Sequence, residues 1–246
     1  MNIDNRENIN LPNFLTVIRI LLVPVFIYFL FQEELIYNIL AFTIFLVASI
    51  TDLIDGYLAR KWKQTTEFGK FLDPLADKVL VVGAFATFLI LNEQVETWML
   101  FLIVMRDMLI TTLRYIGILQ GKSVQTTKIA KLKTFFQMGA IVVLLTLFIV
   151  VSTGQRKIIN QAYEVGRNSG LIGIQIANNI FSQFLNALDG KGNFSEILNL
   201  IAGFLPYYVM LLTTGITVFS GIRYIVSNRE LLNIKNILNA YKKKKS

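Results

Sequence analysis

The chain has 246 residues, of which 54% are hydrophobic and 16% charged, with a formal net charge of +8 and a mean hydropathy of +0.56. Soluble domains carry roughly a quarter charged residues, so this shortfall points to a bilayer as the solvent. The chain has no cysteine and no histidine, which excludes disulfides, thiolate nucleophiles, imidazole bases, Ser-His-Asp triads and most zinc sites.

Acid–base chemistry then falls to carboxylates, Lys or Tyr. A metal site would be built from oxygen ligands, which suit Mg²⁺, Mn²⁺ or Ca²⁺. The basic residues sit mainly between apolar runs and in the tail Lys242, Lys243, Lys244 and Lys245. That placement fits anionic lipid headgroups and argues against nucleic acid as the partner.

The first twelve residues are mainly polar. The apolar run after them lacks a small-residue cleavage site and is expected to be retained as a first span. Six stretches are long and apolar enough to cross a bilayer: Phe14–Phe31, Ile36–Leu58, Leu75–Leu91, Trp98–Leu119, Leu132–Val151 and Ile201–Val226. The turns after the first and third carry Glu33, Glu34, Glu93 and Glu96 and no Lys or Arg. The loops after the second and fourth, with their flanks, carry Arg60, Lys61, Lys63, Lys70, Lys78, Lys122, Lys128, Lys131 and Lys133. The positive-inside rule places this second set and both termini in the cytoplasm. The expected fold is all-α: a polytopic, six-transmembrane-helix bundle in the cell membrane, forming a single domain over residues 1–246.

Between the fifth and sixth spans lies a long segment, about residues 152–200, which the topology places outside. It carries Arg156, Lys157, Arg167 and Lys191, against the charge rule, although long loops translocate largely regardless of charge. Ala177, Ile180, Phe181, Phe184, Leu185 and Leu188 recur in it at helical spacing. This pattern predicts one amphipathic helix, lying in the membrane interface or packed as a lid on the bundle. A basic cytoplasmic tail follows from about residue 227 to 246.

The chemistry concentrates at the end of the second span and the start of the third. Asp52, Asp55, Gly56 and Ala59 fall at i, i+3, i+4 and i+7, one face of a helix. Asp73 and Asp77 are likewise one turn apart, and Asp73 before Pro74 reads as a helix N-cap. The hairpin topology brings these four carboxylates to one membrane surface. Acids at membrane depth are costly unless paired or bound to cations, and four Asp suffice for two divalent metals. Gly56 and Ala59 leave their face without bulk, and Arg60 follows with a fork suited to phosphate. The plainer alternative is a solvated acidic loop balanced by Arg60, Lys61 and Lys78.

The pattern D-x2-D-G-x2-A-R-x8-G-x3-D-x3-D, from Asp52 to Asp77, is complete here. It resembles the signature of the CDP-alcohol phosphatidyltransferase family. The resemblance implies that Asp52, Asp55 and Asp73 ligate two divalent cations, Mg²⁺ or Mn²⁺. It implies that Asp77 is a further ligand and the general base, and that Gly56, Ala59 and Arg60 receive the CDP moiety. A homodimer of six-span bundles, with the active site at the cytoplasmic face, is implied as well.

Three more stretches resemble bacterial members of the family that use glycerol 3-phosphate as acceptor. The opening, Asn10 to Arg19, implies that Asn13 and Thr16 serve the CDP-lipid. The others are Arg106-Asp107 to Leu113-Arg114, and Lys131 to Gln137. Arg106 lies near mid-span and needs an anionic partner; since neighbouring helical positions point apart, a carboxylate on another helix or a phosphate suits it better than Asp107. Arg106, Arg114, Lys131 and Lys133 are therefore candidates for the acceptor's phosphate.

The expected reaction transfers the phosphatidyl group of CDP-diacylglycerol to glycerol 3-phosphate, releasing CMP, in phospholipid biosynthesis. One rival is a sister enzyme making cardiolipin, phosphatidylserine or phosphatidylinositol phosphate. The other is a cation transporter, although its acids would be spread across depth instead of clustered at one end.

Overall fold

A computed structural model describes the backbone of residues 11–32, 34–62, 67–119, 128–190 and 192–229, and the side chains of 14–32, 34–51, 76, 78–117, 132–190 and 192–229. Every regular element among them is an α-helix. In order these are α1 (Leu11–Phe31), α2 (Leu35–Trp62), α3 (Glu67–Leu91), α4 (Thr97–Leu119), α5 (Lys128–Val150), α6 (Thr153–Asn168), α7 (Gly173–Gly190) and α8 (Phe194–Ser227).

Six of these coincide with the apolar runs, and their extra turns come from polar flanks. α1, α5 and α8 contain stretches long and apolar enough to cross a membrane: Phe14–Phe31, Leu132–Val150 and Phe194–Ser227. Leu35–Thr51 of α2 and Lys78–Leu91 of α3 are shorter apolar helical segments. α4 is a continuous helix whose apolar run is broken by Arg106, Asp107 and Arg114. Pro24 in α1 and Pro206 in α8 are accommodated inside their helices, as membrane helices tolerate where neighbours satisfy the freed carbonyl.

α3 begins at Glu67, not at Asp73. Asp73 is therefore an interior helical residue and not an N-cap. The reason is visible in the pattern: Phe68, Phe71, Leu72 and Leu75 fall at i, i+3, i+4 and i+7, so the apolar stripe already runs through the earlier turn.

The chain forms two compact units, Met1–Gln94 with Ile141–Pro206, and Val95–Ala140 with Tyr207–Ser246. In the first, α1 packs on both α2 and α3. Phe26 and Phe45 meet at 6.0 Å between ring centroids. Gly83 of α3 lets α1 approach, since a β-carbon there would stand 3.2 Å from Val23 Cγ1. α5 joins through Phe148, edge-on to Phe88 at 5.5 Å, and the Asn38 side chain donates to the Phe148 carbonyl at 3.2 Å.

The segment after α5 holds two helices where one was expected. α6 starts at Ser152, whose hydroxyl accepts from the Gln155 N–H at 3.4 Å. It ends at Gly170, whose φ of +85° suits the left-handed turn that closes helices. Leu171 N–H reaches back to the Gly166 carbonyl at 3.1 Å. Tertiary contacts then fasten α6: Asn160 donates to the Leu91 carbonyl at 2.8 Å, and Tyr163, fully buried, donates to the Gly203 carbonyl at 2.9 Å. The amphipathic helix is present as α7, and part of its apolar face packs on the first half of α8. Phe181 and Phe184 lie 5.1 and 5.3 Å from Phe204, and Ile180 fills the space that Gly203 leaves open. Leu185 and Leu188 stay exposed.

Candidate active site

α2 runs unbroken through Asp52, Asp55, Gly56, Ala59 and Arg60 to Trp62. The i, i+3, i+4, i+7 face that the spacing needs is thus helical along its whole length. Asp73 and Asp77 lie one turn apart in the first half of α3. The side chains of these residues, and of Asn13 and Lys131, lie outside the described residues. Among the described residues no three acidic side chains gather.

α1, which packs on both carboxylate-bearing helices, contributes two buried polar residues. Thr16 is 0% exposed and Arg19, one turn further on, is 1% exposed. Arg19 Nε donates to the carbonyl of Ala48 at 3.2 Å, and Ala48 is one turn before Asp52. Arg19 therefore bridges α1 to the approach of the aspartate face. Spacing and motif in the sequence do not single out Arg19 as a bridging residue. The signal was an arginine inside an apolar run, a position at which charge is rare without a task.

The second unit carries a charged cluster of its own. Arg106 and Asp107 come from α4, Lys133 from α5 and Ser220 from α8. Lys133 Nζ donates to both carboxylate oxygens of Asp107, at 2.6 and 2.7 Å. Arg106 Nη1 donates to Asp107 Oδ1 at 3.0 Å, and its Nη2 donates to Ser220 Oγ at 2.7 Å. All three charged side chains are almost buried, at 11%, 13% and 10% exposure for Arg106, Asp107 and Lys133. Gly221 makes room for the arginine stem, because a β-carbon there would stand 2.8 Å from Arg106 Cγ.

This corrects the expectation about Arg106. Its carboxylate partner is its own neighbour, Asp107. Adjacent positions do point apart on a helix, but Arg has a long stem, and Asp107 is drawn toward Lys133 on α5. Both side chains thus turn to the same interhelical point. Arg114, two turns further along α4, is exposed and takes part in none of these bonds. Around it Ile110 and Leu113 pack with Tyr224 in a small apolar cluster. The structure thus brings Arg106 and Lys133 together and leaves Arg114 apart from them.

The chain is thus an all-helical protein with membrane-length apolar helices, four aspartates on two helices consecutive in sequence, and a nearly buried Arg106–Asp107–Lys133 cluster. The model of the CDP-alcohol phosphatidyltransferase family matches residues 9–163, and the chain belongs to that family. It is 42% identical over 136 residues to a CDP-diacylglycerol–glycerol-3-phosphate 3-phosphatidyltransferase of Rickettsia typhi (strain ATCC VR-144 / Wilmington), covering 55% of this chain and 76% of the relative. It is 38% identical over 143 residues to the enzyme of that name from Yersinia pestis (strain Pestoides F), covering 56% and 77%. For the one from Blochmanniella floridana the figures are 37% over 142 residues, 55% and 73%.

Proposed function

We propose that the chain is a phosphatidylglycerophosphate synthase, moving the phosphatidyl group of CDP-diacylglycerol onto glycerol 3-phosphate with release of CMP. Family membership supports the donor. The acceptor reading is carried by one observation: two cationic side chains from different helices, Arg106 and Lys133, meet at one nearly buried point. A phosphate-bearing alcohol has a use for such a pair, and the names of the similar relatives agree with it.

We place α1 to α5 and α8 across the membrane, with both termini, the aspartates and the active site at the cytoplasmic face. The acid-only turns at Glu33–Glu34 and Glu93–Glu96, against the basic loops, support that orientation. α6 and α7 then lie outside. α8, at 34 residues, is about 51 Å long, and the hydrocarbon core is about 30 Å thick, so its first turns extend beyond it.

Asp52, Asp55, Asp73 and Asp77 form an all-oxygen donor set on two helical faces, which fits Mg²⁺ or Mn²⁺. Two such ions, when bound, supply charge neutralisation on the pyrophosphate of the donor. The chain's own residues do the rest. Gly56 and Ala59 leave a bare helical face for the CDP moiety, Asn13 serves the same ligand from α1 with Thr16 buried behind it, and Arg60 donates to its phosphate. Arg106 and Lys133 hold the phosphate of glycerol 3-phosphate. Asp77 accepts the proton of the acceptor's 1-hydroxyl as that oxygen attacks the phosphatidyl phosphorus. The bond from phosphorus to the CMP oxygen breaks, and CMP leaves with the electron pair.

Steady-state kinetics of Lys133→Ala test the acceptor assignment. Loss of one charge-assisted contact to phosphate raises KM for glycerol 3-phosphate roughly 10- to 100-fold, with KM for CDP-diacylglycerol unchanged. An unchanged KM for glycerol 3-phosphate removes Lys133 from the acceptor site.

A further inference from the structure

We propose that Asp107 is the positioning residue of the acceptor site, fixing the Lys133 ammonium and the Arg106 guanidinium where the acceptor's phosphate is held. This rests on the reading of Arg106 and Lys133 as acceptor-binding groups. Asp107 would not touch the substrate; it acts through its two cationic partners.

The geometry supports an orienting role over a simple ion pair. Lys133 grips both oxygens of Asp107, at 2.6 and 2.7 Å. A lysine ammonium rotates freely on a four-carbon stem with three donors. Contact with both oxygens of one carboxylate removes that freedom and fixes where the ammonium sits. Arg106 is fixed at two points, Asp107 Oδ1 at 3.0 Å and Ser220 Oγ at 2.7 Å. Its stem is seated against the bare backbone of Gly221. A guanidinium held at both terminal nitrogens keeps one plane.

The surroundings explain why a carboxylate is needed for this. With exposures of 11% for Arg106, 13% for Asp107 and 10% for Lys133, water screens the group little. Two cations at one point of reduced dielectric repel strongly unless an anion lies between them. Asp107 is that anion. It makes the juxtaposition of the two cations tolerable and sets their direction in the same contact.

The test is a double-mutant cycle on the full-length protein in detergent micelles, with CDP-diacylglycerol, Mg²⁺ and varied glycerol 3-phosphate. Asp107→Asn raises KM for glycerol 3-phosphate by about tenfold or more, keeps kcat within about threefold, and leaves KM for CDP-diacylglycerol unchanged. Added to Lys133→Ala, the same change raises that KM by a smaller factor than it does alone, because one of the two groups it positions is gone. If Lys133→Ala raises KM but Asp107→Asn does not, the positioning role is overturned and the acceptor reading stands. If Asp107→Asn raises both KM values equally, its role is general packing and the proposal fails. If Lys133→Ala changes nothing, the acceptor reading fails, and this proposal with it. Where Asp107→Asn does not accumulate folded, Asp107→Glu decides: its carboxylate, displaced by one methylene, must still raise KM for glycerol 3-phosphate about threefold, kcat unchanged. No rise there overturns the proposal.

Discussion

The two compact units bury polar groups for different purposes. In the unit of residues 1–94 and 141–206, the largest buried side chains are mostly apolar: Phe26, Phe45, Phe85, Phe88, Ile141 and Leu144. Several of its buried or half-buried polar groups serve the backbone: Arg19 donates to Ala48, Asn38 to Phe148, and Asn160 to Leu91. In the other unit, charged groups serve one another: Arg106 and Lys133 both bind Asp107. Lys133, Gln137, Thr213, Thr214, Thr217 and Ser220 are buried there as well. A hydrogen-bonded amide holds helices together at modest cost, whereas a buried ion cluster gives little net stability. The described buried polar groups of the first unit thus mainly brace its helices, while those of the second include a compact charged cluster.

That contrast can be broken by substitution. The largest effect is expected at the aspartates: Asp77→Asn leaves CDP-diacylglycerol binding intact and lowers kcat by about 10²–10⁴, the range for a lost general base. Exhaustive chelation abolishes turnover and added Mg²⁺ or Mn²⁺ restores it; activity that survives chelation contradicts a metal-dependent account. Next comes the scaffold. Phe88→Ala deletes a ring that is 0% exposed and packed on Phe148, and costs about 3–5 kcal/mol of unfolding free energy. Measured by denaturant unfolding in detergent, this loss appears with KM for glycerol 3-phosphate unchanged; a large KM change would blur the division between scaffold and site. The smallest effect is at Arg167, whose Nη1 lies 2.5 Å from Glu93 Oε2 with both side chains more than a third exposed. Arg167→Ala shifts stability by less than about 1 kcal/mol and leaves activity alone.

Much of the scaffold was legible in the sequence because apolar runs bounded by polar turns define helices locally. α6 was not. Its apolar residues are sparse between Arg156, Lys157, Glu164 and Arg167, and it is held by tertiary bonds from Asn160, Tyr163 and Arg167. The start of α3 was misplaced because Asp-Pro is a strong local cap signal, overridden by the apolar stripe before it. At the site, helical spacing marked the aspartate faces. What spacing does not reveal is which side chains meet across helices: Lys133 with Asp107, Arg106 with Ser220, and Arg19 with the α2 backbone. Such contacts depend on helix rotation, which no single segment encodes.

The proposed activity joins a CDP-linked lipid to a phosphorylated glycerol. Purified protein with CDP-diacylglycerol and Mg²⁺ should release CMP on addition of glycerol 3-phosphate, and not with serine, inositol phosphate or phosphatidylglycerol. CMP release with one of those three, and none with glycerol 3-phosphate, would contradict it.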